Sequence, residues 1–329
     1  MSEEIDVVVY GLGYIGGLVA RKLLEEEGVR VIGCIDVAPD KVGRDLGELL
    51  GLEPLGVPVV HDRDALDFLM EVRPDVAVLA TGSFLDKIYP QLVKCIRAGV
   101  HVVSTCETLA YPWYRYPGLA ARVDREAKEN NVSVIGTGVN PGFIFDALPA
   151  FLSLVCTEVR SISVVRSINA GRRRYSFQKK IGLGLEPEEF NKLMKEGMLT
   201  GHVGYAESVM LLASILGVEI DKVEERQESL IAETFMKTDF FNISPGKVRG
   251  VRGLGVGYRS GEEFIRLEFI AAVDNPDYDE IVIEADPPQR WRSEGVFGDS
   301  ATAGMVTNVV KKILEAPRGL ITMKDLFFE

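Results

Sequence analysis

Three glycines and one aspartate have the spacing of a dinucleotide-binding site. Gly11, Gly13 and Gly16 follow an apolar run at residues 5–10 and open a segment with a helical pattern. In such a turn the first glycine permits a tight bend, the second lets the backbone approach a pyrophosphate, and the third lets helix and strand pack closely. Asp36 ends the next predicted strand about 20 residues later, where a Rossmann unit places the acid that binds an adenosine ribose.

A glycine-rich turn in some other α/β protein is the alternative interpretation, because about a tenth of the chain is glycine. The strand before the motif and the helix after it favour the dinucleotide. We predict NAD, with NADP possible, because Asp36 repels a 2′-phosphate while Lys41 and Arg44 lie just beyond it. Tyr14 and Ile15, which start the helix, are predicted to contact the cofactor as well.

Strand and helix patterns alternate through the first 140 residues, which predicts a Rossmann domain with a doubly wound parallel sheet. Ligands of such sheets lie beyond the carboxyl ends of the strands. From these strand ends we predict five further residues that contact the cofactor, namely Thr81, Gly82, Thr105, Cys106 and Asn140.

Glu107 directly follows a buried strand and is the leading catalytic candidate. A carboxylate there can bind an ammonium group or move protons on and off an amine. The alternative is a helix-capping or salt-bridged glutamate, and the position favours function. Asn140 could hold a nicotinamide carboxamide or belong to an interdomain turn, and its position leaves both open.

The second half of the chain changes to a pattern of long strands and few helices, which predicts an α+β domain with a mixed, mostly antiparallel sheet. Helices are predicted at 187–195 and 205–216, and strands at 159–168, 228–235, 247–258, 264–273 and 280–285. A last helix at 302–314, with its apolar face on Met305, Val309 and Ile313, is expected to return to the first domain. The predicted domains are 1–145, 146–297 and the returning segment 298–329.

Two polar segments of the second domain could bind a substrate. Residues 172–180 mix Arg173 and other basic residues with aromatics, and they either bind an acidic substrate or form a solvated loop, which is the more usual role of a charge run. His202 stands at the start of a predicted helix. It could donate a hydrogen bond to a substrate or cap the helix, and both remain open.

Composition excludes several function classes. The net charge of −12 argues against a nucleic-acid partner or an anionic membrane surface. There is no apolar run of membrane-spanning length, and the start MSEEID is acidic, so we expect a cytoplasmic protein without a membrane partner. The four cysteines and three histidines are too scattered for a metal site, so no metal is predicted.

Longer segments carry a resemblance to a known family. They are KVGRDLGEL at 41–49, STCETLAYP at 104–112, GVNPGF at 138–143, FQKKIG at 177–182, GHVGYAES at 201–208, TAGMV at 302–306 and LITMKDL at 320–326. Together they resemble the 2,4-diaminopentanoate dehydrogenase and native amine dehydrogenase family, a branch of the dihydrodipicolinate-reductase-like oxidoreductases. The similarity extends over almost the full length.

The resemblance implies NAD(P)-dependent, reversible oxidative deamination of an amine carbon to a ketone and ammonia. It implies that Glu107 is the active-site carboxylate, and that the protein is a homodimer through the second-domain sheet, with a cleft that closes between the domains. The chain has Thr108 where the family commonly carries a second acid. We predict Glu107 and His202 as catalytic residues. The predicted substrate-binding residues are Glu107, Phe143, Arg173, Phe177 and His202.

Two other functions are kept as alternatives. The first is a dihydrodipicolinate-reductase-like reductase of another imine or carbonyl substrate, although the paired-histidine motif and lysine-rich loop of that reductase are absent. Sugar-dehydrogenase relatives place Glu-Lys-Pro after this strand, whereas this chain has Glu107-Thr108-Leu109. The second alternative is a non-catalytic regulator that senses NAD(H).

Overall fold

A computed structural model describes residues 4–328, which divide into two compact units. The first unit contains residues 4–143 and 297–328, and the second contains residues 144–296. Residues 1–3 of the acidic start and residue 329 of the predicted returning segment lie outside the described residues. No helix within residues 4–328 is long and apolar enough to cross a lipid bilayer.

The strands and helices follow one another along the described chain with these bounds. The strands are β1 Ile5–Tyr10, β2 Val29–Asp36, β3 Val59–His61, β4 Val76–Leu79, β5 His101–Ser104, β6 Ser133–Gly136, β7 Glu158–Asn169, β8 Lys222–Ile231, β9 Met236–Lys237, β10 Asn242–Ile243, β11 Val248–Arg259, β12 Glu262–Ala272, β13 Tyr278–Asp286, β14 Gln289–Ser293 and β15 Gly319–Ile321. The helices are α1 Tyr14–Leu24, α2 Leu46–Leu49, α3 Ala65–Val72, α4 Leu85–Arg97, α5 Pro112–Arg115, α6 Pro117–Glu129, α7 Ala147–Leu152, α8 Tyr175–Lys180, α9 Pro187–Lys195, α10 Tyr205–Leu216, α11 Gly298–Val310 and α12 Met323–Phe327.

The first unit is built on a seven-stranded parallel sheet in the order β15-β6-β5-β4-β1-β2-β3. Its central strands are short, apolar and buried on both faces, as in β4 and β5, because helices cover both sides of such a sheet. The strand order reverses next to β1, so that the carboxyl ends of β1 and β4 border the crevice where doubly wound sheets bind ligands. The Rossmann prediction is confirmed.

The end of the chain completes this first unit. Helix α11 packs against α1, and Lys311 forms an ion pair with Glu26 at 2.6 Å. Strand β15 then adds to the sheet edge beside β6. The predicted bounds 302–314 were wrong by about one turn, because Gly298 already lies in the first turn and a separate 3-10 turn covers Ile313–Glu315. The buried residues of α11 include Ala303, Val306 and Val309, whereas the predicted face residue Met305 is only half-buried.

The second unit is built on a six-stranded mixed sheet in the order β14-β13-β7-β12-β11-β8. Only β7 and β12 pair in parallel among these described strands, so the predicted mixed and mostly antiparallel sheet is confirmed. Helix α10 lies on one face of the sheet. It approaches closely because Gly253 and Gly255 of β11 lie under Tyr205, where an added Cβ would stand 1.9 Å and 2.6 Å from that side chain.

One strand prediction in this unit had wrong bounds, and one strand of the six-stranded sheet was missed. The strand predicted at 228–235 is β8, which covers Lys222–Ile231. It is an edge strand rich in charged residues, so its hydrophobic alternation is weak and its bounds could not be read from apolar residues. Strand β14 was missed for the same reason, because its sequence QRWRS contains a single apolar residue.

Candidate functional site

The glycine turn after β1 forms an open cradle at the start of α1. Gly11 has a φ of +96°, and an added Cβ there would lie 2.7 Å from the Ala80 carbonyl oxygen. A Cβ on Gly16 would lie 1.8 Å from the Gly11 carbonyl oxygen, so both positions require glycine. Gly13 differs, because no described atom lies within 4 Å of its Cβ position. The backbone is therefore exposed where a pyrophosphate is expected to approach.

The first turn of α1 begins beside that open space. Gly13 is the N-cap, and no described side chain caps the helix. Tyr14 is 53% exposed and Ile15 is half-buried. An uncapped helix N-terminus carries a partial positive charge and N–H donors, which suits an anionic group. The residues present thus fit the diphosphate of a dinucleotide.

Asp36 lies beside this cradle at the end of β2 and is only 8% exposed. Its Oδ2 accepts a hydrogen bond from the Leu12 N–H at 2.7 Å, and its Oδ1 accepts from the Val37 and Ala38 N–H groups at 2.7 and 2.8 Å. Burial raises the pKa of this carboxyl, but the N–H donors of Ala38 and Leu12 and the charge of Lys41 outweigh it and lower the pKa overall. Asp36 is therefore a preorganised anion.

Two loops meet at the carboxyl ends of β4 and β5. Thr81 and Gly82 follow β4, and Thr105, Cys106 and Glu107 follow β5. The Thr108 side chain is fully buried and its Oγ1 accepts a hydrogen bond from the Leu85 N–H at 2.8 Å, while the Thr108 N–H donates to the Ser83 carbonyl oxygen at 3.2 Å. Thr108 thus joins the turn that carries Glu107 to the start of α4. These contacts were not predicted.

Glu107 and the predicted cofactor residues near it differ in burial and in hydrogen bonding. Glu107 begins a 3-10 turn, Glu107–Leu109, and its side chain is half-buried. The Cys106 side chain is 1% exposed and packs in the core, and burial raises the pKa of its thiol to about 12. Cys106 can therefore offer only backbone groups to a ligand. The Thr81 hydroxyl donates a hydrogen bond to Gln91 of α4.

The turn after β6 carries Asn140. It includes a cis Asn140–Pro141 peptide bond, and Gly142 has a φ of +120°. A Cβ on Gly142 would lie 2.5 Å from the Gly138 carbonyl oxygen, so the turn folds tightly on itself. The Val139 N–H donates to Thr302 Oγ1 of α11 at 3.3 Å, which ties the turn to the returning segment. Phe143 lies within the turn, which continues to residue 146, and its side chain is half-buried.

In the second unit, His202 stands in an aromatic cluster before α10. Its ring centroid lies 4.7 Å from that of Tyr205 and 4.8 Å from that of Phe269. Burial, together with the charges of Lys180 and Arg166, holds the pKa of His202 well below its ordinary range, so the imidazole is neutral at pH 7. The capping interpretation of His202 was wrong, because the N-cap of α10 is Gly204.

The loop that carries His202 is held by Gln227 of β8, a contact that the sequence did not reveal. The His202 N–H donates to Gln227 Oε1 at 2.9 Å, and Gln227 Nε2 donates to the Thr200 carbonyl oxygen at 3.1 Å. Gly201 has a φ of +54°, so the loop turns sharply at this point. The Gln227 amide therefore forms hydrogen bonds with the backbone on both sides of Gly201.

The basic segment that follows β7 is partly structural, so the solvated-loop interpretation was wrong for part of it. Arg173 is only 8% exposed, and its guanidinium carbon lies 4.7 Å from the centroid of the Phe177 ring. Gln178 is fully buried and donates to the Arg173 carbonyl oxygen at 2.7 Å. Arg172, with a side chain that is 79% exposed, fits the solvated-loop interpretation, as do the exposed residues Tyr175, Ser176 and Lys179.

The first unit therefore brings together most predicted cofactor residues at one sheet edge. The glycine cradle, Asp36 and the loops after β4, β5 and β6 all follow carboxyl ends of parallel strands. His202, Arg173 and Phe177 belong to the second unit. Within residues 4–328, no group of three His, Cys, Asp or Glu side chains is arranged to hold a metal ion.

Comparison with known proteins identifies close relatives of the chain. The C-terminal domain of 2,4-diaminopentanoate dehydrogenase is the family that matches residues 143–328. The 2,4-diaminopentanoate dehydrogenase of Acetoanaerobium sticklandii is 32% identical over 98% of this chain and 94% of its own length.

Solved structures agree with these relatives. The amine dehydrogenase of Mycobacterium smegmatis is 27% identical, covers 98% of this chain and 96% of its own, and has a TM-score of 0.88. GenD2 from gentamicin A biosynthesis, solved in complex with NAD, is 16% identical with a TM-score of 0.57 over 99% of this chain and 91% of its own. This second structure shares the fold.

Proposed function

Because the chain belongs to the 2,4-diaminopentanoate dehydrogenase family, we propose that it catalyses nicotinamide-dependent, reversible oxidative deamination of an amine carbon to a ketone and ammonia. The observation that carries the proposal is the position of Glu107. It starts a turn at the carboxyl edge of the sheet that also holds the glycine cradle and Asp36. A carboxylate is thus offered at the edge where the cofactor is expected.

The proposed cofactor is NAD, and NADP is a possible second cofactor. The glycine cradle and the uncapped α1 suit the diphosphate, and Asp36 suits a ribose diol. A nicotinamide held there would supply a hydride acceptor for oxidation of the amine carbon and a hydride donor for the reverse reaction. The ratio of kcat/KM for NAD and NADP, measured for wild type and Asp36→Ala, tests this role. A wild type that strongly prefers NADP, or a variant without a shift toward NADP, contradicts it.

Glu107 is the proposed acid–base group. The amine first loses its ammonium proton, and hydride loss from the neutral amine then leaves an iminium. Water adds to the iminium to give a carbinolamine, which collapses to a ketone and ammonia. The Glu107 carboxylate takes a proton from the attacking water, gives a proton to the leaving nitrogen, and opposes the positive charge of the iminium. Reductive amination uses the same steps in reverse.

The Glu107→Gln variant tests this proposal, with Glu107→Asp as a partner that keeps the charge. We expect Glu107→Gln to lose about 10²-fold or more in kcat, while the Kd for NADH, measured by fluorescence titration, changes little. Near-normal kcat in Glu107→Gln would assign the acid–base chemistry to another group. A wild type that binds NADH but shows no turnover with ammonia and a range of small ketones would favour the NAD(H)-sensing regulator.

His202 is proposed as a second residue that contacts the substrate. Since the imidazole is neutral at pH 7, it acts through a single N–H donor and a single acceptor nitrogen rather than through charge. We expect His202→Asn to retain part of kcat/KM for the amine, and His202→Phe to lose about tenfold or more, because only Asn keeps a donor and an acceptor. Equal rates for the two variants would remove His202 from the mechanism.

The sheet of the second unit is the proposed dimer surface. Alternate residues of β11 face away from α10, and the neighbouring strands contribute the half-buried side chains of Val165 and Ile270 to the same face. Arg252 and Glu268 form an ion pair across it at 2.6 Å. We expect a homodimer in analytical ultracentrifugation, and a monomer for Ile270→Glu. A monomeric wild type at micromolar concentration contradicts this proposal.

A further inference from the structure

Lys41 contacts the Asp36 carboxylate, which in the proposed function binds the adenosine ribose. Its Nζ lies 3.4 Å from Asp36 Oδ2 and donates to the Leu12 carbonyl oxygen at 2.9 Å. The Lys41 side chain is 26% exposed, whereas the Asp36 side chain is 8% exposed. The ammonium therefore covers the outer side of a nearly buried anion.

The hydrogen bonds of Asp36 leave little room for a further donor. Oδ1 accepts from the Val37 and Ala38 N–H groups, and Oδ2 accepts from the Leu12 N–H. Each carboxylate oxygen has about two lone-pair directions, so the remaining acceptor direction is on Oδ2, which is the oxygen that Lys41 contacts. A ribose hydroxyl can bind Asp36 only if the Lys41 ammonium moves aside.

Arg44, the other basic residue beside this site, is directed elsewhere. Its guanidinium lies 3.6 Å from Glu48 one turn along the chain and donates to the Asp40 carbonyl oxygen at 3.5 Å. A cavity of about 250 Å³ opens beside the cradle, and Lys41 and the exposed Asp40 contribute its charged lining.

We propose that Lys41 determines how far this site accepts a 2′-phosphate. When the ligand carries a free 2′-hydroxyl, the ammonium leaves Asp36 and the hydroxyl takes its place. When the ligand carries a 2′-phosphate, the ammonium contacts the phosphate, and its charge offsets the repulsion between that phosphate and Asp36. The flexible four-carbon stem of lysine permits both positions. The inference rests on the dinucleotide site of the proposed function and adds the residue that sets its specificity.

The test measures binding of adenosine fragments, so no amine turnover is needed. Titration calorimetry gives the Kd of 2′,5′-ADP and of 5′-AMP for wild type, Lys41→Met, Lys41→Arg and the matched control Arg44→Met. We expect Lys41→Met to weaken 2′,5′-ADP by about tenfold or more, and to leave 5′-AMP unchanged or slightly tighter. Lys41→Arg should retain most of the affinity for 2′,5′-ADP, and Arg44→Met should change both constants by less than about twofold.

Three results would overturn the inference. The first is an unchanged ratio of the two dissociation constants in Lys41→Met. The second is an equal effect of Arg44→Met, which would make the preference a property of general positive charge. In either case, wild-type binding of the two fragments would show that the adenosine site exists and that only the role of Lys41 fails. The third is a wild type that binds neither fragment, and the dinucleotide site of the proposed function then fails together with the role of Lys41.

Discussion

His101 makes the stability of the first unit depend on pH. It begins β5, the strand that leads to Glu107, and is 9% exposed. Its Nδ1 accepts a hydrogen bond from the Ser133 N–H of β6 at 3.0 Å, which requires an unprotonated nitrogen. Burial and the nearby charge of Arg318 lower the pKa of His101 to about 4, although Asp75 opposes them.

The sign and size of the effect follow from proton binding. The unfolded chain has a histidine pKa of about 6.5 and therefore binds the proton more readily than the folded state. The contribution to stability is present above about pH 6.5 and is lost as the pH falls from there toward 4. Between pH 7 and pH 5 the free energy of unfolding should decrease by about 2 kcal/mol from His101 alone.

Urea unfolding at the two pH values measures this loss. A Trp291→Phe background leaves Trp113 of the first unit as the single tryptophan, so its fluorescence reports on this unit. His101→Asn keeps an acceptor for the Ser133 N–H but cannot titrate, and the contributions of other groups cancel in the comparison. We expect His101→Asn to lose about 2 kcal/mol less than the reference on acidification. The same loss in both proteins would refute the reasoning, since His101 would then not be neutral in the fold.

Three further substitutions test contacts at the site. Thr108→Val removes the acceptor for the Leu85 N–H and should lower the free energy of unfolding by about 1–3 kcal/mol. Thr108→Ser keeps the hydroxyl and should stay near wild type. If the two variants are equally stable, the hydrogen bond is dispensable. Gly13→Ala should preserve Tm and weaken NADH binding by about tenfold or more, because its Cβ enters only the open space of the cradle. Gly118→Ala, in the first turn of α6, is the control, and an unchanged Kd in Gly13→Ala would place the diphosphate elsewhere. Gln227→Leu should lower kcat/KM for the amine without changing the Kd of NADH, because Gln227 holds the loop of His202. In a His202→Phe background the same substitution should cause no further loss. An additive loss would show that Gln227 does not act through His202.

The local patterns of the sequence were sufficient to predict the parallel sheet and the glycine turn after β1. The apolar run at residues 5–10 and the glycines Gly11, Gly13 and Gly16 specify a strand, a tight bend and a helix start. All three features depend only on residues that are neighbours in the sequence. The bounds of α9 and α10 were predicted without error, since proline begins the first and glycine ends the second. Edge strands such as β8 and β14 lacked this signal, because polar and charged residues occupy most positions on both of their faces.

By itself, the sequence determined which residues follow each strand, and in a parallel sheet this is enough to assemble Asp36, Glu107 and Asn140 at one edge. The tertiary structure alone decided which partner each side chain meets. Lys41 and Arg44 look equivalent along the chain, yet only Lys41 reaches Asp36. The physical reason is that a hydrogen bond or ion pair forms only when the two atoms are placed to within a few tenths of an ångström. That placement is set when distant segments pack, and not by the spacing of residues along the chain.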